Sequence, residues 1–322
     1  MHPGTGLGGH AGPRDPSDLI GYFAMNAEKE AQAAKVTELV ARREPFVRAT
    51  VVRAQHPTSA RAGDVALVLA SGQIEGFVGG NCVEASVREY SLRALITHDP
   101  LLLRVVPGEP SRVHEEGAVE VANPCLSGGA IEIFLEPNIP APHVIVVGTT
   151  PVAHALAALG EGIGLEMDLV NGSSVSPSEQ DAALIVASHG KEEEPALERA
   201  LLAGIPYIAL VASEQRGAAV LASLNVTEEQ RGRVFSPAGL EIGATSPGEI
   251  ALSILAQFVA ERAGVAAVQP ELATAIDPVC GMEVAAVETS LHVEFEGTTV
   301  YFCSEGCRDA FVADSERYAV AH

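Results

Sequence analysis

Apolar and polar positions in the first part of the chain follow both helical and strand-like periods. Val36, Leu39 and Val40 recur at helical spacing, which predicts a helix there. The β-branched run at 47–53 predicts a strand, and the apolar run at 65–70 predicts a second one. Further strand-like runs lie at 101–106, 118–122 and 130–135. Region 19–137 is therefore predicted to be a mixed α/β domain.

The segment after Gly79 and Gly80 predicts a helix. Asn81, followed by Glu84 three residues later, has the pattern of an N-cap with its capping-box partner. This pattern puts Cys82 in the first turn of the helix.

Region 142–264 shows a different pattern, in which continuous apolar runs alternate with helical segments. Such runs are typical of parallel strands covered on both faces, so we predict a doubly wound, Rossmann-like sheet. The predicted strands are 143–148, 183–188 and 207–213, and the predicted helices lie near 152–159, 193–203, 215–224 and 250–261.

Two linkers complete the organisation. A Pro-rich stretch follows residue 135, and residues 265–275 form a second linker before a small module at 276–319. A module of this size rarely builds a sufficient core by itself and usually needs a metal or a partner. Residues 1–18 are Gly- and Pro-rich without the apolar core of a signal peptide, so we expect a disordered tail.

Composition excludes several classes of function. The chain of 322 residues has 42 acidic and 20 basic residues, a net charge of −22, which argues against a nucleic-acid partner or an anionic membrane surface. No apolar run reaches the roughly 18 residues of an integral membrane segment. The five cysteines are too few and too unevenly placed for a secreted disulfide framework, so a reducing cytoplasmic setting is expected.

Two cysteines of the first region are candidates for chemistry. A helix N-terminus lowers the pKa of a thiol, so Cys82 could serve as a nucleophile or a soft-metal ligand, or else be a buried structural residue. Cys125 lies in a loop shaped by Pro124 and two glycines, where it is either functional or packed beneath the loop. Spacing leaves open whether the two thiols share a site.

A polar loop of the first region is a candidate anion pocket. Arg53, His56, Ser59 and Arg61 are placed in this predicted loop between two strands, and guanidinium groups with hydroxyls bind anions well. The alternative is an ordinary solvated loop.

The Rossmann-like region has an incomplete dinucleotide-binding loop. Gly148 can form the tight turn, but Thr149 and Thr150 follow, and Thr150 stands where the fingerprint has its middle glycine. Asn171 stands where an acidic ribose ligand is expected. The sequence therefore gives weak evidence for NAD(P).

Polar residues also follow two predicted strands of this region. Ser188 and His189 lie at the carboxyl end of one, and Ser213 and Arg216 lie at the end of the next. Ligands of such sheets bind beyond the carboxyl ends of the strands, so these side chains are candidates for one crevice. The alternative is local capping or loop hydrogen bonding.

The last region carries the most specific metal signal. Cys280, Cys303 and Cys307 form a thiolate-rich set, to which Met282 or His292 could add a ligand. The four-residue spacing of Cys303 and Cys307 would put both on one face of a helical turn. Such ligands favour copper, zinc or iron, and the alternative is three thiols in a small core.

Several stretches together resemble the XdhC/CoxI family, the accessory factors of molybdenum hydroxylases. The loop version here is similar to the CoxF or CoxI branch found with carbon monoxide dehydrogenase, and residues 277–318 resemble a YHS domain. The stretches that carry the family resemblance are VVRAQHPTSARAGD, EGFVGGNCVEASV, NPCLSGGAIEIFLEP, VVASHG, YIALVASEQRGAAV and SPAGLEIGATSPGEIALSIL.

The resemblance implies a two-domain, often homodimeric maturation factor. Such a factor binds the molybdenum–pterin cofactor, assists its sulfuration with a sulfurtransferase and hands it to an apo molybdenum hydroxylase. It implies Cys82 as the molybdenum- or sulfur-facing thiol and Cys125 as the second, in a cofactor chaperone rather than a turnover enzyme. Two alternatives stay open, an NAD(P)-dependent oxidoreductase and a copper-delivery protein that works through the last three cysteines.

Overall fold

The chain forms two compact units in the computed structural model, which describes residues 30–108, 115–123, 129–266 and 271–319. One unit joins the residues before 141 to those after 269, and the other comprises 141–269. The first unit contains an N-terminal domain, up to residue 140, and a C-terminal module, residues 271–319. The expected tail at 1–18, the loop with Cys125 and part of the expected 265–275 linker lie outside the described residues.

The N-terminal domain is built on a six-stranded mixed sheet with the order β3-β2-β1-β6-β4-β5. All pairs are antiparallel except β4 with β5. Its strands are β1 (Phe46–Gln55), β2 (Val65–Leu69), β3 (Ile74–Gly76), β4 (Leu101–Pro107), β5 (Ala118–Asn123) and β6 (Ala130–Asn138). Its helices are α1 (residues 30–41) and α2 (Asn81–Thr97).

The two helices pack on opposite faces of this sheet. Successive strand residues point to opposite sides, so Val47 contributes to the core beneath α2, whereas Phe46 packs with Leu39 of α1. Val83 and Val87 of α2 are buried in the larger core, as their helical spacing predicts.

The predicted cap of α2 is wrong by one residue. Gly80, not Asn81, is the N-cap, and no side chain caps the helix. The Gly80 carbonyl accepts the N–H groups of Val83 and Glu84 at 2.9 and 3.1 Å. Gly79, with φ of 143°, turns the chain so that the helix begins one residue early, and the capping box with Glu84 does not form.

The C-terminal module consists of two hairpins and two short helices. Its elements are β12 (Thr274–Ile276), β13 (Glu283–Ala285), β14 (Leu291–Phe295), β15 (Thr298–Phe302), α8 (Glu305–Ala313) and α9 (Ser315–Ala319). The rings of Phe295 and Phe302 pack around Phe311 of α8. This core is small, as the sequence predicts.

The C-terminal module docks on α2 and on the β2–β3 turn of the N-terminal domain. Val284 of β13 is 1% exposed and packs against the start of α2. Arg93 of α2 binds the Glu283 carboxylate at 3.2 Å, and the Thr289 hydroxyl donates to the Ser71 carbonyl at 2.9 Å. The module thus obtains from the N-terminal domain part of the burial that it cannot provide itself.

The second unit confirms the Rossmann-like prediction. Its five strands form an all-parallel sheet with the order β11-β10-β9-β7-β8, and alternate residues enter hydrophobic cores on both faces. The strands are β7 (His143–Val147), β8 (Glu166–Val170), β9 (Ala183–Val186), β10 (Tyr207–Leu210) and β11 (Val234–Phe235). The helices are α3 (Pro151–Gly162), α4 (Glu193–Leu202), α5 (Glu214–Ser223), α6 (Glu228–Arg231) and α7 (Pro247–Ala266).

Across the described ranges, no helix is both long enough and apolar enough to cross a membrane.

Candidate thiol and metal site

Four side chains of the C-terminal module come together at one point. The ligand atoms of Asp277, Cys280, Cys303 and Cys307 all lie within 4.8 Å of one another. The sulfur of Cys303 is 3.5 Å from that of Cys280 and 3.7 Å from that of Cys307. The structure therefore unites the three cysteines that the sequence proposes as ligands, in a set of side chains able to hold a metal ion.

These cysteines come from three different elements. Cys280 lies in the turn between β12 and β13, Cys303 follows β15, and Cys307 lies in the first turn of α8. The expected helical turn across Cys303 and Cys307 is wrong, because α8 begins only at Glu305. Ser304 caps α8 by accepting the Cys307 N–H at 3.3 Å, and this bend still brings the two sulfurs together.

Asp277 organises the thiol cluster, although the sequence analysis missed it. Its side chain is fully buried, and its Oδ1 accepts the N–H groups of Val279 at 2.9 Å and Cys280 at 3.4 Å. Its Oδ2 accepts the Cys303 N–H at 2.9 Å. One carboxylate thereby ties together the two loops that carry Cys280 and Cys303. The Asp277-Pro278 pair, a common turn start, is the signal that could have identified it.

Hydrogen bonds and burial shift the pKa values of the three thiols in different directions. A hydrogen bond from Cys303 lowers the pKa of the Cys280 thiol, whereas burial raises the pKa of Cys307 to about 11. The pKa of Cys303 is raised because its thiol is hydrogen-bonded to Cys280 and Cys82 and is buried. Cys280 is therefore the first of the three to become a thiolate as the pH rises.

Cys82 lies against this cluster. It is the second residue of α2, is only 7% exposed and packs with Ala85, Val284 and Cys303. The sequence places Cys82 correctly in the first helical turn but gives no sign that it meets the C-terminal cysteines. The four cysteines in the described part of the chain are all thiols, and Cys125 lies outside that part.

The residues before Cys82 leave space at the start of α2. A Cβ on Gly79 would meet Val83 at 3.1 Å, whereas a Cβ on Gly80 would meet nothing within 4 Å. Gly80 and Asn81 are exposed. The backbone therefore stays accessible beside Cys82, although the thiol itself is covered.

The polar loop of the N-terminal domain is only partly as expected. Arg53 lies in β1, not in the loop, and its guanidinium binds the Glu132 carboxylate at 2.9 Å. His56, Ser59 and Arg61 are in the exposed β1–β2 loop, where the Asp64 carboxylate accepts the Arg61 N–H at 2.7 Å. The positive charge of Arg53 is thus already matched by a carboxylate.

The loop after β7 closes tightly on the end of β9. Gly148 has φ of 124°, and a Cβ there would lie 2.5 Å from the Ala187 carbonyl oxygen. Thr150 is the N-cap of α3, and its hydroxyl donates to that same carbonyl at 2.8 Å and accepts the Ala153 N–H at 3.2 Å. Thr149 between them is exposed. Thr150 therefore caps the helix, and an NAD(P)-dependent oxidoreductase stays an alternative.

Three family models match along the chain. The XdhC and CoxI family model matches residues 39–105, the model of the XdhC Rossmann domain matches 144–258, and the model of the YHS domain matches 275–322. The chain is a member of the XdhC and CoxI family. Cys82 falls in the first match, the Gly148 loop in the XdhC Rossmann domain and the three clustered cysteines in the YHS domain.

Individual relatives share only a small part of their sequence with this chain. An uncharacterized protein of Escherichia coli K12, YqeB, is 28% identical over 243 residues, which cover 67% of this chain and 43% of that protein. This chain therefore spans less than half of that relative's length. A solved xanthine dehydrogenase from Bacillus halodurans is 15% identical, with 71% of this chain and 95% of that chain covered and a TM-score of 0.36. A likeness at that level defines neither fold nor function.

The strand ends of the XdhC Rossmann domain converge on a residue that the sequence did not single out. Glu193 is 1% exposed, binds the Arg216 guanidinium at 2.6 and 3.1 Å and accepts the Ser188 hydroxyl at 3.3 Å. Burial raises its pKa, but Arg216, the Gly190 N–H and Ser188 outweigh that effect and leave the pKa lowered. Three consecutive glutamates precede Pro195, and nothing in their pattern distinguishes the buried one.

The other two predicted residues at these strand ends have local positions. Ser213 caps α5 by accepting the Arg216 N–H at 3.4 Å. His189 is exposed and adopts a left-handed backbone with φ of 53°. In the predicted crevice, the charge of Arg216 is thus neutralised by Glu193. That a ligand binds in this crevice stays a prediction.

Proposed function

We propose that this chain is an accessory factor for a molybdenum hydroxylase of the carbon monoxide dehydrogenase or xanthine dehydrogenase type. It binds the molybdenum–pterin cofactor, receives sulfur for it from a sulfurtransferase and delivers it to the apoenzyme. Membership in the XdhC and CoxI family is the observation that carries this proposal. The cofactor is cargo in this role, so the chain needs no turnover of its own.

Cys82 is the proposed contact to molybdenum or to the transferred sulfur. Its position in the first turn of α2 favours a thiolate, which binds soft metals and carries sulfur well. The open space at Gly80 lets a bulky ligand approach the backbone. Because Cys82 packs against Val284 and Cys303, this role also requires the C-terminal module to move away from α2 while the cofactor is bound.

The exposed loop between β1 and β2 is the proposed contact for the anionic part of the cofactor. His56, Ser59 and Arg61 offer a ring nitrogen, a hydroxyl and a guanidinium there. Arg53 joins them only if it releases Glu132.

Replacement of the thiol tests this proposal. In cells that make the cofactor, Cys82→Ser should leave the target enzyme without molybdenum, as measured by elemental mass spectrometry of the purified target. Circular dichroism of the variant should show an intact fold. Ala85→Ser is the matched control, because it adds a hydroxyl to the same packed cluster and keeps the thiol. Normal molybdenum content with Cys82→Ser would refute the role of Cys82.

A second function, delivery of a soft metal, is favoured by the thiol cluster of the YHS domain. Three cysteines within contact distance of one another suit copper, zinc or iron. For a carbon monoxide dehydrogenase target, whose site contains copper beside molybdenum, we expect Cys280→Ser to lower the copper of the target and leave its molybdenum unchanged. An unchanged copper content of the target enzyme with Cys280→Ser would refute this function.

A further inference from the structure

We infer that Cys82 is the fourth sulfur ligand of the metal site in the YHS domain, so that a bound ion is held jointly by the N-terminal domain and the C-terminal module. The inference rests on the proposed metal-binding role of the YHS domain. It adds a ligand from another domain and is independent of any role in molybdenum transfer.

Cys303 is the centre of the sulfur cluster. Its thiol contacts Cys280 at 3.5 Å and Cys307 at 3.7 Å, and Cys82 packs in the same buried cluster. Cys82 is outside the four-residue set whose ligand atoms lie within 4.8 Å of one another, in which Asp277 supplies the fourth group. A four-coordinate site needs one ligand more than the three cysteines of the YHS domain, and Asp277 and Cys82 are both candidates for it.

Asp277 is the poorer candidate, because its carboxylate already has a structural task. Both of its oxygens accept backbone N–H groups, from Val279 and Cys280 on one side and from Cys303 on the other. Binding an ion through this carboxylate would weaken the bonds that hold the two cysteine loops together. A soft ion also prefers sulfur to a carboxylate oxygen.

Cys82 has the better chemistry and the better electrostatic position. It presents a thiol at the start of α2, and Cys307 lies in the first turn of α8. Helix N-termini carry partial positive charge, which offsets the negative charge of the thiolates. Both helix N-termini therefore favour thiolates at this cluster.

The fourth bond would join two parts of the chain that already pack together. Cys82, Ala85, Val284 and Cys303 form one buried cluster, and Met282 packs beside it. When zinc binds, each coordinating thiol releases its proton to water and forms a metal–sulfur bond. Because one of these bonds reaches α2, the bound ion also clamps the YHS domain onto the N-terminal domain.

Zinc is the test ion, since its four-sulfur sites are tetrahedral and X-ray absorption distinguishes sulfur at about 2.3 Å from oxygen at about 2.0–2.2 Å. The experiment uses the full chain, reduced and loaded with one zinc ion. We expect four sulfur neighbours in the wild type and three sulfurs with one oxygen or nitrogen in Cys82→Ser. Competition with a chromophoric chelator should show a zinc dissociation constant raised by about tenfold or more in this variant.

Ala85→Ser is the control for packing, and it should keep four sulfurs and the wild-type dissociation constant. Three sulfurs and one oxygen in the wild type, or equal affinity in the wild type and Cys82→Ser, would overturn the inference and leave a site within the YHS domain. Absence of zinc binding in the wild type would overturn both the inference and the proposed metal function. The wild-type spectrum needs no variant, so three sulfurs and one oxygen there would overturn the inference even if Cys82→Ser unfolds.

Discussion

At the scale of single residues, Glu89 of α2 links pH to stability. Its carboxylate is 2% exposed and binds Arg93 at 2.9 and 3.1 Å, and burial raises its pKa from 4.5 to about 7. The unfolded chain therefore loses this proton before the folded chain does. The contribution of Glu89 to stability is full below pH 4.5 and is lost as the pH rises to about 7.

Glu89→Gln should remove this dependence, because the amide does not titrate. We expect the fall in the free energy of unfolding across this pH window to shrink by about 2–3 kcal/mol, as measured by urea denaturation on either side of it. Glu283→Gln removes the exposed carboxylate that shares Arg93 and that also raises the Glu89 pKa, so it should reduce this fall by less than Glu89→Gln does. An unchanged pH profile in Glu89→Gln would contradict the buried carboxylate as its cause.

Residue patterns in the sequence could predict only part of the candidate site. Glycines before a cysteine at a helix start made Cys82 a candidate, and cysteine spacing made candidates of the three thiols that the structure brings together. Asp277 and Glu193 were missed because their importance comes from groups distant in sequence, such as the Cys303 N–H and Arg216. A carboxylate that will be buried has no local pattern that separates it from a solvated one.

At the scale of elements, the turn between β7 and α3 depends on Gly148. Gly148 has a φ of 124°, and a Cβ added there would lie only 2.5 Å from the Ala187 carbonyl oxygen. The turn therefore has no room for a side chain at this position. Gly148→Ala should therefore lower the free energy of unfolding by about 1–3 kcal/mol. Gly162→Ala, at the end of α3, is the matched control, because a Cβ there meets nothing within 4 Å. Chemical denaturation measures both, and equal stabilities would refute the steric argument.

Elements were predictable where a long pattern marked them. Strands β7, β9 and β10 follow continuous apolar runs and were predicted, whereas β11 and α6 were missed because two and four residues show no period. The cap of α2 was wrong because Gly79 and Gly80 let the backbone itself start the helix. Short elements and caps depend on backbone conformation, which side-chain patterns report poorly.

At the scale of the whole molecule, two distant parts of the chain make a contact that the spacing of cysteines in the sequence cannot predict. Cys82 and Cys303 are in modules that the sequence separates by a complete Rossmann-like domain, yet they share one buried cluster. The cofactor role needs Cys82 exposed, and the metal role needs it covered. If both hold, docking of the YHS domain decides which of the two ligands Cys82 can bind.

This relation predicts that weaker docking exposes the Cys82 thiol. Val284→Asp places an unpaired charge in the buried docking surface, so Cys82 in the metal-free chain should react with a maleimide about tenfold faster, as followed by mass spectrometry of its peptide. Val312→Asp makes the same change at a valine that is 64% exposed in the same module and should leave the rate unchanged. Equal rates in Val284→Asp and the wild type would mean that the YHS domain does not protect Cys82, and the choice between two ligands would then have no structural basis.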